Sequence, residues 1–471
     1  MPDYPKAMKL EDVYKSISPE PLVNKSQFEA YYRPEINELR GNDRISLMAL
    51  ELQRSFGGLP YKAFLMGHSG VGKSTELTRL VNEVENRYSA IRFSATTVLD
   101  PISFQPFDVL LYMMGTVAEA TAAPIEKGGA GKKPSDERVK ELWNWFATEK
   151  ETITKATEKG AQLAGGAGVE GGSWWAKLLG LNASVKGEIK FASTRENATV
   201  TYRLSRLSDL IELANRLLDE CNKLLKETVG REWLLIGEDF DKAGLSPDCT
   251  EKLFVTYGNV FKSLRAHMIF VVPIALAYSD KANQFPVPSD RRHCLPDTPV
   301  FEKDHSPHKK GREAVRKVLE ARMSVDLLAK GQLERLIVAS GGNLRDLFAL
   351  VSAASNLALL RKQPDARIEK ADLDSAINDL RTEYQRQLGE SLYDPKPIPY
   401  EEKAERLVRI YKGKPEAEVT DPVLYSLLRS RAVQEFDGER WFGIHPLVVD
   451  ILVSHKRLRR SAKGTLPGGT H

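Results

Sequence analysis

Cysteine is scarce: the 471 residues include three, Cys221, Cys249 and Cys294, and no C-x-x-C pair. An odd and scattered set builds neither a disulfide framework nor a thiolate metal centre, and it points to reduced thiols in a cytoplasmic protein. Long apolar runs are missing as well. No stretch approaches the roughly 18 uninterrupted apolar residues of a membrane span. Met1-Pro2-Asp3-Tyr4-Pro5 is not the basic opening of a secretory leader. Neither sign of charge is in excess: 68 Lys and Arg face 64 Asp and Glu, a net +4 that does not by itself argue for nucleic acid or an anionic membrane.

What remains is an ordinary globular composition, 42% hydrophobic and 28% charged, in a chain long enough for roughly three domains. One stretch stands out. Gly67-His68-Ser69-Gly70-Val71-Gly72-Lys73-Ser74-Thr75 fits G-x-x-x-x-G-K-[ST], the phosphate-cradling P-loop, at every fixed position. Ala63 to Met66 reads as the buried strand before it, and Glu76, Leu77, Leu80 and Val81 as the helix after it. The glycines allow close approach and unusual backbone angles. The loop amides and the helix N-terminus then face phosphate oxygens. Lys73 supplies a point charge to the β- and γ-phosphates, and the Ser74 hydroxyl is a Mg²⁺ ligand. ATP and Mg²⁺ are the expected ligands, because the chain shows no N-K-x-D guanine motif.

A second landmark is Glu232-Trp233-Leu234-Leu235-Ile236-Gly237-Glu238-Asp239-Phe240-Asp241-Lys242. A short apolar strand ends there in carboxylates, the arrangement that places acids at the carboxyl edge of a parallel sheet. Glu238 or Asp239 is assigned to the metal, and the remaining acids, including Asp241, to activating water.

The rest of the chain fits around these two. Residues 1–60 form a lead ending in a helix over Ile45, Met48, Ala49 and Leu52, placed to cover a nucleotide base. Residues 61–305 form the P-loop core, with strands near Ile91–Ser94, Met268–Pro273 and Thr298–Phe301. Within it, 124–205 is an insertion carrying Gly165 to Leu179 with Trp174-Trp175, then a strand over Val185, Ile189 and Phe191; it is expected to dock on a partner or second subunit. Arg291 and Arg292 precede the last expected strand, where one of them could reach a neighbouring subunit's γ-phosphate, although an exposed basic loop is the simpler reading. His305 and His308 lack zinc-spaced partners and read as solvated. Residues 306–392 are all-helical, and in Gly341-Gly342-Asn343-Leu344-Arg345 the glycines end one helix while Asn343 caps the next. Arg345, in that first turn, is placed to reach over the P-loop. Residues 393–460 read as helices, a hairpin turning at Asp437-Gly438 and a last helix, which suggests a winged helix. Residues 461–471 are a basic tail able to meet phosphate backbones.

Together these motifs resemble the AAA+ and STAND branch of P-loop ATPases over roughly residues 30–390, with the winged helix extending the match. Gly67 to Leu77 is similar to that group's Walker A, and Glu238-Asp239-Phe240-Asp241-Lys242 to its Walker B. Gly341 to Arg345 resembles the sensor 2 motif of origin-recognition and helicase-loader proteins, which would make Arg345 a γ-phosphate sensor. The departures are Pro273 where a polar sensor 1 is usual, Gly237 inside the Walker B strand, and no long repeat region after the ATPase. The resemblance implies an α/β P-loop NTPase sheet with a helical lid and a C-terminal winged helix. It also implies an ATP-driven switch assembling with itself or with a separately encoded effector, as in phage-defence modules. The alternative is a DNA-binding initiator or loader reading duplex with the winged helix, though Pro422 to Arg431 offers only Arg429 and Arg431 as basic groups.

Overall fold

The computed structural model describes residues 4–147, 197–436 and 441–460, apart from 42, 364, 392 and 395. The Gly- and Trp-rich part of the insertion, the strand expected over Val185 to Phe191, the Asp437-Gly438 turn and the basic tail from Ser461 lie outside the described residues.

The lead supplies α1 (Arg44–Ser55), capped by Asp43, whose carboxylate accepts from the Ser46 amide at 3.1 Å. Its apolar spacing buries Ile45, Met48, Ala49 and Leu52, the face expected from sequence. The core follows with β1 (Lys62–Met66), α2 (Lys73–Val84), β2 (Tyr88–Ser94), α3 (Pro106–Ala122), α4 (Leu207–Val229), β3 (Glu232–Glu238), β4 (His267–Val271) and β5 (Arg292–Cys294). All five strands run parallel in the order β2-β3-β4-β1-β5. The near-continuous apolar runs of β3 and β4 are buried along their whole length, as both faces of a parallel sheet require. Gly237 does not interrupt β3. A Cβ there would stand 2.5 Å from the Phe270 ring, so the missing side chain lets β4 pack against it.

The last strand differs from the expectation. It is Arg292–Cys294, pairing Phe64, Leu65 and Met66 of β1, and not Thr298–Phe301. Pro299 has no amide to give a ladder, and Thr298 to Val300 runs as buried irregular chain. The polar residues of β5 find internal partners instead. Arg292 donates to the carbonyls of Val287 at 2.7 Å and Ala282 at 2.9 Å, and Arg291, just before the strand, lies 4.5 Å from the centre of the Tyr61 ring. The exposed basic loop expected around these arginines is therefore not what forms. His305 and His308 are not solvated either: His305 stacks on Tyr411 with 4.0 Å between centroids, and His308 Nδ1 accepts from the Gly311 amide at 2.8 Å.

Four helices follow: α5 (Lys309–Glu320), α6 (Gln332–Ala339), α7 (Leu344–Leu360) and α8 (Lys370–Gln387). Then come α9 (Tyr400–Tyr411), α10 (Pro422–Arg429), the antiparallel pair β6 (Val433–Phe436) and β7 (Trp441–Ile444), and α11 (Pro446–Ser454). Helix, helix, hairpin and helix is the winged-helix order. One apolar cluster runs through the lid helices and this module, from Val315 and Leu347 to Leu427 and Leu452. Lid and winged helix thus share a core, while two further clusters fill the two faces of the sheet.

Candidate nucleotide-binding site

The P-loop leaves the carboxyl end of β1, which lies between β4 and β5, and the chain then crosses to β2 at the far edge. Ligands of open α/β sheets bind at such a reversal. Gly67, Gly70 and Gly72 all take positive φ, at 146°, 95° and 101°. At Gly70 the need is also steric, because a Cβ would meet Asn343 Oδ1 and come within 2.7 Å of Arg345 Cβ. The lid therefore rests directly on the loop.

Lys73 is buried and donates from Nζ to the carbonyls of Gly67 at 2.8 Å and His68 at 2.9 Å. It also pairs with Asp241 at 2.8 Å. The expected acids converge at the end of β3, each already held. Glu238 accepts from Arg92 Nε at 2.7 Å, and Arg92 also donates to the Ser74 carbonyl at 3.0 Å and the Thr78 hydroxyl at 2.6 Å. Asp239, in left-handed backbone at φ 65°, accepts from the Ser94 hydroxyl at 2.6 Å. The register of β2 on β3 sets Ser94 opposite Glu238, which brings both partners to the acids.

From the lid, Asn343 caps α7 and uses its Nδ2 to hold the Ser69 carbonyl at 3.0 Å and Asp297 at 3.1 Å. Arg345 donates to the Ser69 hydroxyl, so the structure brings it to the loop as the sequence suggested. From the lead, the Leu22 amide donates to Thr75 Oγ1 at 3.2 Å, and Arg40 donates to the Val71 carbonyl at 2.9 Å.

His68 turns its side chain toward the winged-helix module. Its buried Nε2 accepts from the Glu435 amide on β6 at 3.3 Å, and burial lowers its pKa to about 4. Arg40, Arg92, Ser94 and Asn343 were not assigned to the site by sequence. A β2 position in register with an acidic strand end was the available signal for Arg92 and Ser94; Arg40 carried none.

The cleft has a volume of about 510 Å³, within the range of small-molecule sites. Its lining includes Pro21, Tyr32, Arg322 and Phe348 together with the P-loop, Glu238, Asp239, Asp241 and Arg345. Aromatic and apolar side chains beside loop amides, a buried lysine and the carboxylates at the end of β3 are the groups a nucleotide with a divalent cation would use. Ser74, Glu238 and Asp239 all line the cleft and are the oxygen donors that could hold a cation there.

No protein-family model matches the chain, and no curated protein matches it. Solved structures align along most of its length. Cdc6p from Pyrobaculum aerophilum does so at 11% identity over 92% of this chain and 99% of its own, with a TM-score of 0.37. The Aeropyrum pernix ORC1 protein in complex with DNA gives 12%, 91%, 98% and 0.37. Aeropyrum pernix ORC2, in ADPNP–ADP complexes, gives 13%, 90%, 98% and 0.37. At TM-scores this low the likeness carries no argument of its own, and the assignment of fold rests on the strand order, the loop and the lid described above. That architecture is an α/β P-loop NTPase fold, a five-stranded parallel sheet with a helical lid and a C-terminal winged-helix module.

Proposed function

We propose that the chain binds ATP with Mg²⁺ and hydrolyses it as a regulatory switch. The observation that carries the proposal is the docking of Arg345 and Asn343 on Ser69 of the loop that holds Lys73. In this reading the Gly70 and Gly72 amides and Lys73 hold the phosphates, which displace Asp241 from Lys73. Ser74 and Glu238, the latter released by Arg92, would hold Mg²⁺, which when bound would neutralise phosphate charge. Asp239, hydrogen-bonded by Ser94, orients or deprotonates the attacking water. Arg345 carries transition-state charge and reports the γ-phosphate to the lid. The lid shares its core with the winged helix, so that report reaches the module beyond.

The reading extends to self-association and to a separately encoded protein partner of the kind found in phage-defence modules, which is what the sequence resemblance supports. Duplex reading by α10 is the weaker alternative. Every residue of that helix except Pro422 is buried or half-buried, and it packs on the short helix Ile274–Ala277 of the core.

The test is ATP turnover and solution mass, with and without ATP, for wild type, Lys73→Ala, Glu238→Gln and Asp239→Asn. Turnover lost by at least tenfold in all three variants, with ATP-dependent assembly in wild type, is expected. Unchanged turnover in Lys73→Ala would sink the reading.

A further inference from the structure

A trans peptide is planar, with its C=O and N–H pointing in opposite directions. Whatever holds a P-loop carbonyl outward therefore aims the amide of the next residue inward, at the phosphates. Asn343 does this for Ser69, whereas the Gly67 and His68 carbonyls turn to Lys73 Nζ inside the loop. The Val71 carbonyl is held by a residue from outside both the loop and the lid: Arg40, in the lead just before α1. Its Nη2 donates to Val71 O at 2.9 Å and its Nε to Thr298 Oγ1 at 3.3 Å. The side chain is 3% exposed. Among the described residues it forms no ion pair, and burial lowers its pKa, with the charges of Glu76 and Asp297 working against that. A buried guanidinium with no carboxylate at ion-pair distance costs stability rather than adding to it. What it does is geometric.

Resting on the nucleotide reading above, we propose that Arg40 is a positioning residue. It aims the Gly72 amide into the phosphate site and ties the P-loop to Thr298, in the linker that leads to the lid. The N-terminal lead is then part of the phosphate cradle as well as the wall near the base.

The experiment measures equilibrium binding of a fluorescent ATP analogue with Mg²⁺, and steady-state kcat and KM, for wild type, Arg40→Met, Arg40→Lys and Thr298→Val. Each is held at a temperature where circular dichroism shows the nucleotide-free variant folded. Arg40→Met is expected to weaken ATP and ADP alike by about ten- to a hundredfold, with KM rising more than kcat falls. Arg40→Lys recovers part of this, to within about three- to tenfold of wild type, because one ammonium cannot serve Val71 and Thr298 with a planar fork. Thr298→Val leaves the Val71 contact and costs less than about threefold. A folded Arg40→Met that binds within threefold of wild type overturns the proposal; if that variant does not fold, Arg40→Lys within twofold of wild type does so. If wild type and Lys73→Ala fail alike to bind nucleotide, the nucleotide reading itself falls, and this proposal with it.

Discussion

Asp346 follows Arg345 on the first turn of α7, and it is the anchor between lid and winged helix. Its carboxylate is 3% exposed and pairs with Arg431 Nη1 at 2.9 Å, while accepting from the Tyr384 hydroxyl at 2.6 Å. His445 Nε2 lies 3.5 Å away, with its ring stacked on Tyr384 at 4.3 Å. Burial alone would push the Asp346 carboxyl up, but Arg431, His445 and Tyr384 together hold it well below the usual carboxylate range. Asp346→Asn keeps the shape and removes the charge, which leaves a buried guanidinium uncompensated. Breaking one side of a buried pair costs about 3–5 kcal/mol, and we take about 3 because the amide oxygen still accepts from Tyr384. At roughly 2–4 °C per kcal/mol for a unit of 150–250 residues, the melting midpoint of the C-terminal half should fall by about 6–12 °C. The assay is calorimetry and urea unfolding of Asp346→Asn, Arg431→Met and the double variant. The double variant should be less destabilised than the sum of the singles by about 2 kcal/mol, since no lone charge remains. Additive singles, or an Asp346→Asn midpoint within 2 °C of wild type, would refute the account.

His68 predicts a loss of stability in acid. Its folded pKa, about 4, lies below the ordinary 6.5, so the unfolded chain takes up a proton that the folded chain refuses. Stability therefore falls as pH drops from about 6.5 toward 4, by up to about 3 kcal/mol, and levels off below that. Urea unfolding between pH 7 and 4 should show this slope flattened in His68→Gln; an equal slope in both would count against it. Asp346 titrates later: its contribution is complete above the ordinary carboxylate pKa and is lost as pH falls through its lower folded value, beneath the His68 window. Gly70→Ala forces a Cβ against Asn343 and Arg345 at a φ of +95°. Nucleotide affinity should drop by more than about tenfold, measured by titration calorimetry, and near-wild-type affinity would mean that the lid does not rest on the loop when nucleotide is bound.

The P-loop, the acidic end of β3, the lid turn at Gly341–Arg345 and the hairpin near the C-terminus were legible because each has a local signal: a fixed spacing, an apolar run ending in acids, or a glycine pair before a cap. The position of β5 was not, since Arg292-His293-Cys294 looks polar and its partners come from distant loops, while the apolar Val300-Phe301 misled. Gly237 read as a break because a packing neighbour from β4 is invisible along the chain. Arg40, Arg92 and Asn343 escaped assignment, or had only a capping role, for a related reason. Each holds a main-chain carbonyl of the P-loop or of the helix after it, and such a target leaves no mark on the residue that donates to it.

The P-loop is braced by residues from almost the full length of the polypeptide: Arg40 before it, Asn343 in the lid, and Glu435, whose amide meets His68. During synthesis the loop leaves the ribosome long before its last brace. At about 5–20 residues per second, the 362 residues from Ser74 to Glu435 take roughly 20–70 s to appear. For that interval a nascent chain carries the P-loop motif in sequence without the brace that Glu435 gives His68, so the loop reaches its final shape only once the winged helix has folded against it.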